Sequence, residues 1–506
     1  MISRDNDPSM VGSWISEHAT RTPHKTAIEF LGDTITYDEL ERSSTALAIS
    51  LLERGLVPGD RIATLTENRP EQVILFFACA KAGLVLAPLN WHLTPSELTV
   101  QLDLFIPELL VLSEAQSARF AASPLVSTRA PLRMETLLTD LPDSSSLMPL
   151  VHLTSNDPLL LIATSGTTGT PKGAVLTHAN CYWTNRSLDL SIPITADDVV
   201  LQVLPQYHVG GWNVQPLLAW WKGATVVLEP SFVPKRVLEL ISTRHVNTMM
   251  GVPTTFLMLA QHPDFANADL SSLHSVVVGG ATMPQGLTAQ WLERGIAIAQ
   301  GYGLTEAAPN VLCLSSEDIT SHPGSVGKPY KYVDVALRDE AGEVVEGVGR
   351  GEIWVRGSNV FSGYWQNRAA TTSVLRDGWL RTGDVAERDG DGYYSICGRT
   401  KEMFVSGGEN VFPLEVECVL AAYEHVIDAA LVGVDDPLWG EAGVAFVVAK
   451  QNEHIDVAQL LAHCRERLAS FKIPRAIYVV DELPRTHIGK VDKVALSKLA
   501  VQGLKK

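Results

Sequence analysis

Short apolar runs alternate with longer helix-like stretches from about residue 60 to about residue 300. The runs at 61–65 and 159–163 have the length of buried strands, and the stretch at 71–82, opened by a proline, has the length of a helix. The segment Thr-Pro-Ser-Glu from Thr94 is a capping box that predicts another helix start. Such alternation predicts an α/β fold of parallel sheets covered by helices. Further strands are predicted at 84–89, 199–203, 225–228, 247–251 and 275–278.

The pattern changes twice towards the C-terminus. At 333–357 apolar and polar residues alternate between glycine-rich breaks, which is typical of antiparallel hairpins. We predict a large N-terminal domain at 1–399, with a β-rich part at 325–398, and a small mobile α+β domain at 400–506. The elements predicted in this last domain are helices at 414–422 and 457–468 and strands at 429–434, 445–449 and 477–480.

Composition narrows the class of protein. The formal net charge of −17 argues against a general nucleic-acid binder, which needs a basic surface. The six cysteines form no CxxC pair, so they indicate neither a disulfide framework nor a zinc site and suit the reducing cytoplasm. The N-terminus lacks the apolar core of a secretory signal, and the apolar run at 73–91 is interrupted by Lys81 and Pro88. We therefore expect a cytoplasmic protein with no transmembrane segment.

The most informative segment reads Thr-Ser-Gly-Thr-Thr-Gly-Thr-Pro-Lys-Gly and begins at Thr164. It follows the strand predicted at 159–163. Its glycines allow backbone N–H groups to turn towards an anion, its hydroxyls add donors, and Lys172 adds positive charge. Pro171 and Gly173 stand at two fixed positions of the P-loop pattern, so it is not a P-loop. A plain surface loop is the alternative, but this composition after a buried strand favours phosphate binding.

A second segment, Gln-Gly-Tyr-Gly-Leu-Thr-Glu, follows a strand that we predict to end at Ala299. Glycines on both sides of Tyr302 allow its ring to pack flat against a planar ligand, and Glu306 offers the hard oxygen that Mg²⁺ prefers. On its own, this segment is equally well interpreted as a structural turn with an incidental acid.

Three further positions carry possible chemistry. Asp384 ends a glycine turn, and its two oxygens suit a ribose diol, with Arg399 offering complementary donors. Taken alone, a motif of this kind is more often a plain hairpin turn. His208 precedes two glycines, although an isolated histidine is more often packed than catalytic. Lys490, preceded by Gly489, is by itself an ordinary surface lysine.

In this order the motifs resemble those of the adenylate-forming superfamily of acyl-CoA synthetases, carrier-loading adenylation domains and firefly-type luciferases. Within it the chain is most similar to the fatty-acyl and aryl-CoA ligases, from about Pro23 to Lys493. The resemblance implies ATP, Mg²⁺ and coenzyme A as cofactors and cosubstrates, and a small carboxylic acid as substrate.

The resemblance also implies roles on the nucleotide side. The loop at 164–172 would surround the β- and γ-phosphates of ATP, with Thr167 also reaching the metal. Tyr302 would stack on adenine, Thr305 would touch the α-phosphate, and Glu306 would hold Mg²⁺. The residues so implied are Thr164, Ser165, Gly166, Thr167, Thr168, Gly169 and Lys172 for phosphate, and Gly280, Ala281, Gly301, Tyr302 and Gly303 for the adenine side.

The remaining roles concern the acyl group and the small domain. By resemblance, Asp384 and Arg399 would bind ribose, and His208 would gate or position the acid at the mouth of its pocket. Lys490 would bridge the carboxylate and the α-phosphate during adenylation, although His487 and Ile488 replace the usual small residues before it. The small domain would then rotate about a hinge and present a thiolation loop to CoA. The hinge residue would be Lys401, and the loop would contain Ser406, Gly407 and Gly408.

Several alternatives stay open at this point. The glycines at Gly210 and Gly211 leave room for an alkyl chain or an aryl ring equally. The acid is expected to be a medium- or long-chain fatty acid first and a hydroxycinnamate- or benzoate-type acid second. An enzyme that loads a carrier protein in trans is the main alternative, and a luciferase-like oxygenase or an inactive nucleotide-binding regulator is less favoured. No G-x-S-x-G elbow supports a serine hydrolase. A homodimer is compatible with the sequence. The acyl channel is expected to include His208, Trp212, Gly279, Gly280 and Gly303.

Overall fold

A computed structural model describes residues 7–120, 131–145, 151–164, 171–437, 439–450, 453–485 and 491–503. Contacts divide the chain into two compact units. The first lies within residues 1–283, 287–335 and 355–380, and the second within 284–286, 336–354 and 381–506. The second unit thus includes residues on both sides of the boundary predicted at 399/400, which stays a prediction. Among the described residues, no helix is long and apolar enough to cross a membrane.

The larger sheet of the first unit has nine strands among the described residues. Its central strands are parallel, and apolar runs such as Thr225–Leu228 are buried because helices cover both faces. The pairing is not sequential, since Thr26–Phe30 lies beside Thr225–Leu228. The strand order is Lys328–Pro329, Asn310–Leu314, Ala299–Gly303, Val277–Val278, Thr248–Gly251, Val199–Gln202, Thr225–Leu228, Thr26–Phe30 and Asp33–Thr36.

The second sheet of the same unit has seven strands in the described part of the chain. Its middle is parallel, as predicted, with Arg61–Leu65 between two neighbours of the same direction. Lys172–Thr177 was not predicted as a strand, and it returns antiparallel to Pro158–Thr164. The strand order is Gly363–Tyr364, Lys172–Thr177, Pro158–Thr164, Val85–Pro88, Arg61–Leu65, Leu109–Leu112 and Leu132–Arg133.

Local sequence explains where the helices begin. The predicted capping box at Thr94 is present: the Glu97 carboxylate accepts the Thr94 N–H at 2.8 Å. Helix Pro70–Ala82 begins at its proline and ends at Gly83 in the left-handed region, with a φ of 74°. In the part of the chain that the structure describes, the helices up to residue 374 are Trp14–Arg21, Tyr37–Glu53, Pro70–Ala82, Pro95–Phe105, Glu114–Arg119, His178–Ser191, Gly210–Asn213, Pro216–Lys222, Pro234–Arg244, Pro253–Ala260, Gln285–Glu293 and Arg368–Val374.

One predicted strand boundary is wrong. We expected a strand to end at Ala299, but the strand Ala299–Gly303 begins there and carries the Gly-Tyr-Gly segment itself. Glycines weaken a strand locally, so the segment resembled a turn. Pairing with Val277–Val278 on one side and Asn310–Leu314 on the other overrides that local preference.

Residues 336–354 and 381–399 of the second unit belong to one five-stranded sheet. A further five-stranded sheet of this unit lies nearer the C-terminus. Helices pack on both faces of the C-terminal sheet, as the apolar clusters around Leu460 and Leu496 demonstrate. The first of these sheets comprises Asp334–Arg338, Gly349–Arg356, Trp379–Arg388, Leu375–Arg376 and Tyr394–Arg399, and the second comprises Glu409–Val411, Phe404–Ser406, Gly440–Ala449, Val426–Asp436 and Ala476–Val480. The helices are Pro413–Ala421, Val457–Arg467 and Lys493–Gly503, the last of which was not predicted.

Within this second unit, residues 336–354 contact residues 400–506. The Arg350 guanidinium Nη2 lies 2.5 Å from Glu415 Oε1, and its carbon lies 4.3 Å from the centre of the Phe412 ring. Asn410 Nδ2 donates to Glu340 Oε1 at 2.9 Å. Charge, aromatic packing and a hydrogen bond therefore connect the two segments across the predicted boundary.

Candidate active site

Thr164 and Lys172 stand opposite each other at the open end of a strand pair. They are the last residue of Pro158–Thr164 and the first of Lys172–Thr177, in direct register. Thr164 Oγ1 donates to the Lys172 carbonyl oxygen at 3.4 Å. The predicted phosphate loop thus leaves and re-enters the sheet at one point. Its members Ser165, Gly166, Thr167, Thr168 and Gly169 lie outside the described residues, so their roles stay predictions.

A tyrosine that the sequence did not single out contacts two of the predicted site residues. The Lys172 ammonium Nζ lies 4.9 Å from the centre of the Tyr364 ring, within cation–π range. The Tyr364 hydroxyl donates to Glu306 Oε1 at 2.8 Å. The predicted phosphate cation and the predicted magnesium carboxylate therefore lie on either side of one phenol.

Glu306 is held by its backbone as well as by its side chain. It lies on the short 3₁₀ helix Thr305–Ala307, which also carries Thr305. The Phe361 N–H donates to the Glu306 carbonyl oxygen at 2.9 Å. Burial, followed by the negative charge of Glu306, raises the pKa of Tyr364, so the phenol remains a donor at neutral pH. The carboxylate keeps lone pairs beyond the one that accepts from Tyr364, and carboxylate oxygen fits a magnesium ligand.

The strand beside Glu306 carries the predicted adenine-side residues. Tyr302 lies opposite Leu312 of the neighbouring strand and is partly buried. A Cβ at Gly303 would lie 1.8 Å from the Pro309 carbonyl oxygen, so only glycine fits there. At Gly301 the nearest atom to such a Cβ would be 3.6 Å away, an ordinary contact. Gly303 is therefore required by the fold itself, whatever its part in nucleotide binding.

Gln300 connects this strand to the segment that holds Gly280 and Ala281. It is buried, and its amide nitrogen donates to the carbonyl oxygens of Ala281 at 3.2 Å and Gly301 at 3.1 Å. Its side-chain oxygen accepts the Met283 N–H at 2.9 Å. The structure therefore brings the two predicted adenine-side segments together. The glutamine was visible as part of the motif, but nothing in the sequence indicated its partners.

The loop that carries His208 is fixed by Asn68, which the sequence did not suggest. Asn68 Nδ2 donates to the Leu204 carbonyl at 2.9 Å, and Asn68 Oδ1 accepts the Gln206 N–H at the same distance. The partly buried His208 ring packs against Tyr207 with their ring centres 4.6 Å apart. Burial raises the pKa of Tyr207 to about 12. A rigid loop of this kind fits a positioning role for His208.

The expectation that both glycines after His208 leave room for the acid is wrong at one of them. A Cβ at Gly211 would lie 2.4 Å from the Pro205 carbonyl oxygen, so backbone already fills that space. At Gly210 the nearest atom would be 3.7 Å away, which leaves space for a methyl group. Trp212 is fully buried and stacks on Phe76 with ring centres 4.7 Å apart, so it belongs to the core.

In the second unit, Asp384 and Arg399 face each other across an antiparallel strand pair. Arg399 Nε lies 2.8 Å from Asp384 Oδ1. Asp384 is buried, whereas the Arg399 side chain is 44% exposed. The two predicted ribose ligands are therefore neighbours, with the donors and acceptors that a diol needs.

The predicted thiolation loop is the turn of a tight hairpin. Ser406 pairs with Glu409, and the intervening Gly407 and Gly408 have φ values of 62° and 86°. Both angles favour glycine, as a two-residue hairpin turn requires. Ser406 is buried, whereas Lys401, the predicted hinge residue, is exposed. The turn from Arg399 to Met403, closed by a 3.1 Å backbone hydrogen bond, surrounds that lysine.

Lys490 lies outside the described residues, and so do Thr486 and His487. The flanking residues Arg485 and Val491 form an isolated antiparallel bridge. The segment that carries Lys490 therefore starts and ends at neighbouring points of the second unit. Its catalytic role stays a prediction.

A lysine and a glutamate held at one tyrosine, beside helix-covered sheets, fit a class of enzymes that bind a nucleotide together with a metal. The chain belongs to the AMP-binding enzyme family: the family model matches residues 15–365, and the AMP-binding enzyme C-terminal domain model matches residues 415–490.

Individual relatives and solved structures agree with this family over nearly the whole chain. A feruloyl-CoA synthase of an Amycolatopsis species is 41% identical over 96% of this chain and 97% of its own. The long-chain-fatty-acid–CoA ligase FadD13 of Mycobacterium tuberculosis is 33% identical over 96% and 97%. The structure of Bacillus subtilis o-succinylbenzoate CoA synthetase with ATP and magnesium has a TM-score of 0.86 and 29% identity, covering 96% of this chain and 99% of that one.

These findings establish the reaction class and confirm the predicted fold, resemblance and cofactors. The chain is an AMP-forming acid–thiol ligase, an acyl- or aryl-CoA synthetase that uses ATP, Mg²⁺ and coenzyme A.

Proposed function

We propose that this chain forms its CoA thioester in two half-reactions, with the residues described above in the roles that the sequence suggested. One observation carries the proposal: Lys172, Tyr364 and Glu306 lie together near the first residue of strand Lys172–Thr177. A cation suits the phosphates and a carboxylate suits magnesium, so the arrangement fits a magnesium–triphosphate complex.

In the first half-reaction, a carboxylate oxygen of the acid attacks the α-phosphorus of ATP. A carboxyl–phosphate bond forms, the bond to the β-phosphate breaks, and pyrophosphate leaves. The acid is already ionised at neutral pH, so no general base is needed. Lys490 places positive charge between the two approaching anions, and Thr305 contacts the α-phosphate. Glu306 would hold magnesium, which would supply positive charge to the phosphates.

The nucleoside and the acid are held by the other predicted residues. Tyr302 stacks on adenine, while Asp384 and Arg399 share the ribose hydroxyls. His208, on its rigid loop, positions the acid at the mouth of the acyl pocket. Each contact orients a reactant, and orientation lowers the entropic cost of bringing two anions together.

In the second half-reaction, the CoA thiolate attacks the carbonyl carbon of the acyl-adenylate. A carbon–sulfur bond forms and the carbon–oxygen bond to AMP breaks; the thiol proton has already passed to solvent when the thiolate forms. Residues 400–506 rotate about Lys401 between the steps, which withdraws Lys490 and presents the hairpin of Ser406, Gly407 and Gly408 to CoA. Rotation allows one pocket to serve two geometries.

For the acid, we propose an aromatic carboxylic acid of the hydroxycinnamate type first and a medium- or long-chain fatty acid second. This reverses the order expected from sequence. The relative at 41% identity is named for feruloyl-CoA, and the relative at 33% is named for long-chain fatty acids. The Gly211 position, filled by the Pro205 carbonyl, also offers less room than the sequence suggested. Transfer to a carrier protein is less favoured, because the named relatives are CoA ligases.

The test is pyrophosphate release and thioester formation with octanoate, palmitate, benzoate and ferulate, each with and without CoA. We expect ferulate to give the highest kcat/KM. Lys490→Ala should lose adenylation yet convert supplied acyl-adenylate and CoA to thioester, whereas Lys498→Ala, an exposed lysine on the C-terminal helix, should match wild type. Pyrophosphate release without any CoA thioester would overturn the second half-reaction, and equal loss of both steps in Lys490→Ala would overturn its role.

A further inference from the structure

Tyr364 lies where two strands bring distant parts of the chain together. The short strand Gly363–Tyr364 pairs antiparallel with Lys172–Thr177, which places Tyr364 opposite Ala174. Its backbone N–H donates to Thr371 Oγ1 at 2.9 Å, and the Phe361 ring packs edge-on against the phenol with ring centres 4.9 Å apart. Backbone pairing, a hydrogen bond and ring packing together hold the phenol in one position.

The Lys172 ammonium and the Glu306 carboxylate each contact a different part of the neutral Tyr364 phenol. The Lys172 ammonium contacts the ring at 4.9 Å from its centre, and the Glu306 carboxylate accepts from the hydroxyl at 2.8 Å. A direct ion pair between ammonium and carboxylate would neutralise both groups and lower their attraction for other ions. A phenol stabilises both charges and neutralises neither, so both remain available to a ligand.

We propose that Tyr364 is a positioning residue that holds Lys172 and Glu306 separately charged and oriented for a magnesium–triphosphate complex. This inference rests on the roles proposed above for Lys172 and Glu306. The hydroxyl fixes the carboxylate through one of its oxygens and leaves the other for the metal. The ring face supports the ammonium beside the point where the phosphate loop returns to the sheet.

ATP binding measured by calorimetry, without acid or CoA, tests this role. Tyr364→Phe removes the hydroxyl and keeps the ring for Lys172. A charge-assisted hydrogen bond is worth enough that its loss should weaken ATP binding in excess Mg²⁺ about tenfold. In EDTA the affinity should stay within about twofold of wild type, because the ring contact is intact. Tyr423→Phe is the matched control, since it removes a phenol that donates to Gln459 at 3.3 Å in the second unit.

Two further variants guard against a merely structural effect. Tyr364→Leu removes ring and hydroxyl, so its ATP affinity should fall both with and without Mg²⁺. In a Glu306→Gln background, Tyr364→Phe should add no further loss, because the two changes disrupt one interaction.

The proposal is overturned if Tyr364→Phe binds ATP like wild type in Mg²⁺, if it weakens binding equally in EDTA, or if its effect adds to that of Glu306→Gln. Wild-type protein whose ATP affinity is the same with and without Mg²⁺ would instead overturn the metal role of Glu306. The wild-type comparison therefore tests the proposed metal role of Glu306, and the variants test the positioning role of Tyr364.

Discussion

Replacing Arg350 with methionine should change the balance between the two half-reactions. Arg350 precedes the predicted boundary at 399/400, whereas its partners Glu415 and Phe412 follow it. The rotation of 400–506 about Lys401 that we propose would break these contacts. On that proposal, the Arg350–Glu415 pair stabilises one of the two domain arrangements at the expense of the other.

The structure sets the size of the effect. The two side chains are 35% and 19% exposed, so the pair is partly screened by solvent. Two unit charges about 4 Å apart attract by roughly 4 kcal/mol at an effective dielectric of about 20. Desolvation and side-chain ordering oppose most of this attraction, leaving about 1 kcal/mol for such a pair. The guanidinium–ring contact adds about 0.5–1 kcal/mol. A total near 1.5–2 kcal/mol corresponds to about a 10–30-fold shift in the equilibrium between arrangements.

The assay measures the half-reactions separately: pyrophosphate release without CoA, and thioester formation from supplied acyl-adenylate. We expect Arg350→Met to move the two rates in opposite directions, changing their ratio by about tenfold. Lys472→Met is the matched control. Lys472 Nζ lies 2.5 Å from the other oxygen of Glu415, but both residues belong to 400–506, so this pair does not cross the boundary.

Three results would contradict this effect of Arg350. The ratio of the two rates stays at the wild-type value in Arg350→Met, or Lys472→Met changes it as much, or both rates fall in parallel. Thermal unfolding of each variant checks that the fold is retained. Lys472 stays paired with Glu415 in Arg350→Met, so that carboxylate keeps a partner and a large loss of stability is not expected.

Two further predictions concern stability. Gly211→Ala should lower the free energy of unfolding by about 1–3 kcal/mol, because its Cβ would meet backbone, whereas Gly210→Ala should not; equal melting temperatures would contradict this. His178 is buried, and burial lowers its pKa to about 4, against opposing charges from Asp157 and Asp7. Neutral His178 therefore stabilises the fold fully above pH 6.5, and up to about 3 kcal/mol should be lost as the pH falls towards 4, measured by urea unfolding at several pH values. His178→Asn should reduce that pH dependence, because an amide does not titrate in this range. The amide oxygen can still accept the Val11 N–H, so the hydrogen bond is kept.

Much of the fold followed from local pattern. Buried parallel strands are continuous apolar runs, so Arg61–Leu65 and Thr225–Leu228 were predicted with their observed bounds. Sheet order did not follow, because pairing of Thr26–Phe30 with Thr225–Leu228 joins segments that no local pattern relates. The strand Lys172–Thr177 was not predicted, for a different reason. Its first residues belong to the phosphate motif, and its strand conformation depends on pairing with Pro158–Thr164.

The candidate site divides in the same way. Lys172, Glu306, Asp384 and Arg399 could be proposed as site residues because each lies in a short motif that resembles one of the family. Tyr364 was not found, since its link to Glu306 spans 58 positions and a tyrosine in an apolar segment usually packs in a core. A candidate site residue that lies in a recognisable short motif can be predicted from the sequence. A residue that contacts it from a distant segment can be identified only from the folded structure.

The four outermost strands of the two sheets in the first unit are short. Asp33–Thr36 has four residues, and Lys328–Pro329, Gly363–Tyr364 and Leu132–Arg133 have two each. Short edges, one of which ends in a proline, leave few free backbone groups that could pair with another molecule. Aggregation by edge-to-edge growth of these sheets is therefore disfavoured, even at the high concentrations reached in overexpressing cells. For the same reason, a homodimer of this chain is not expected to form through the edges of these two sheets.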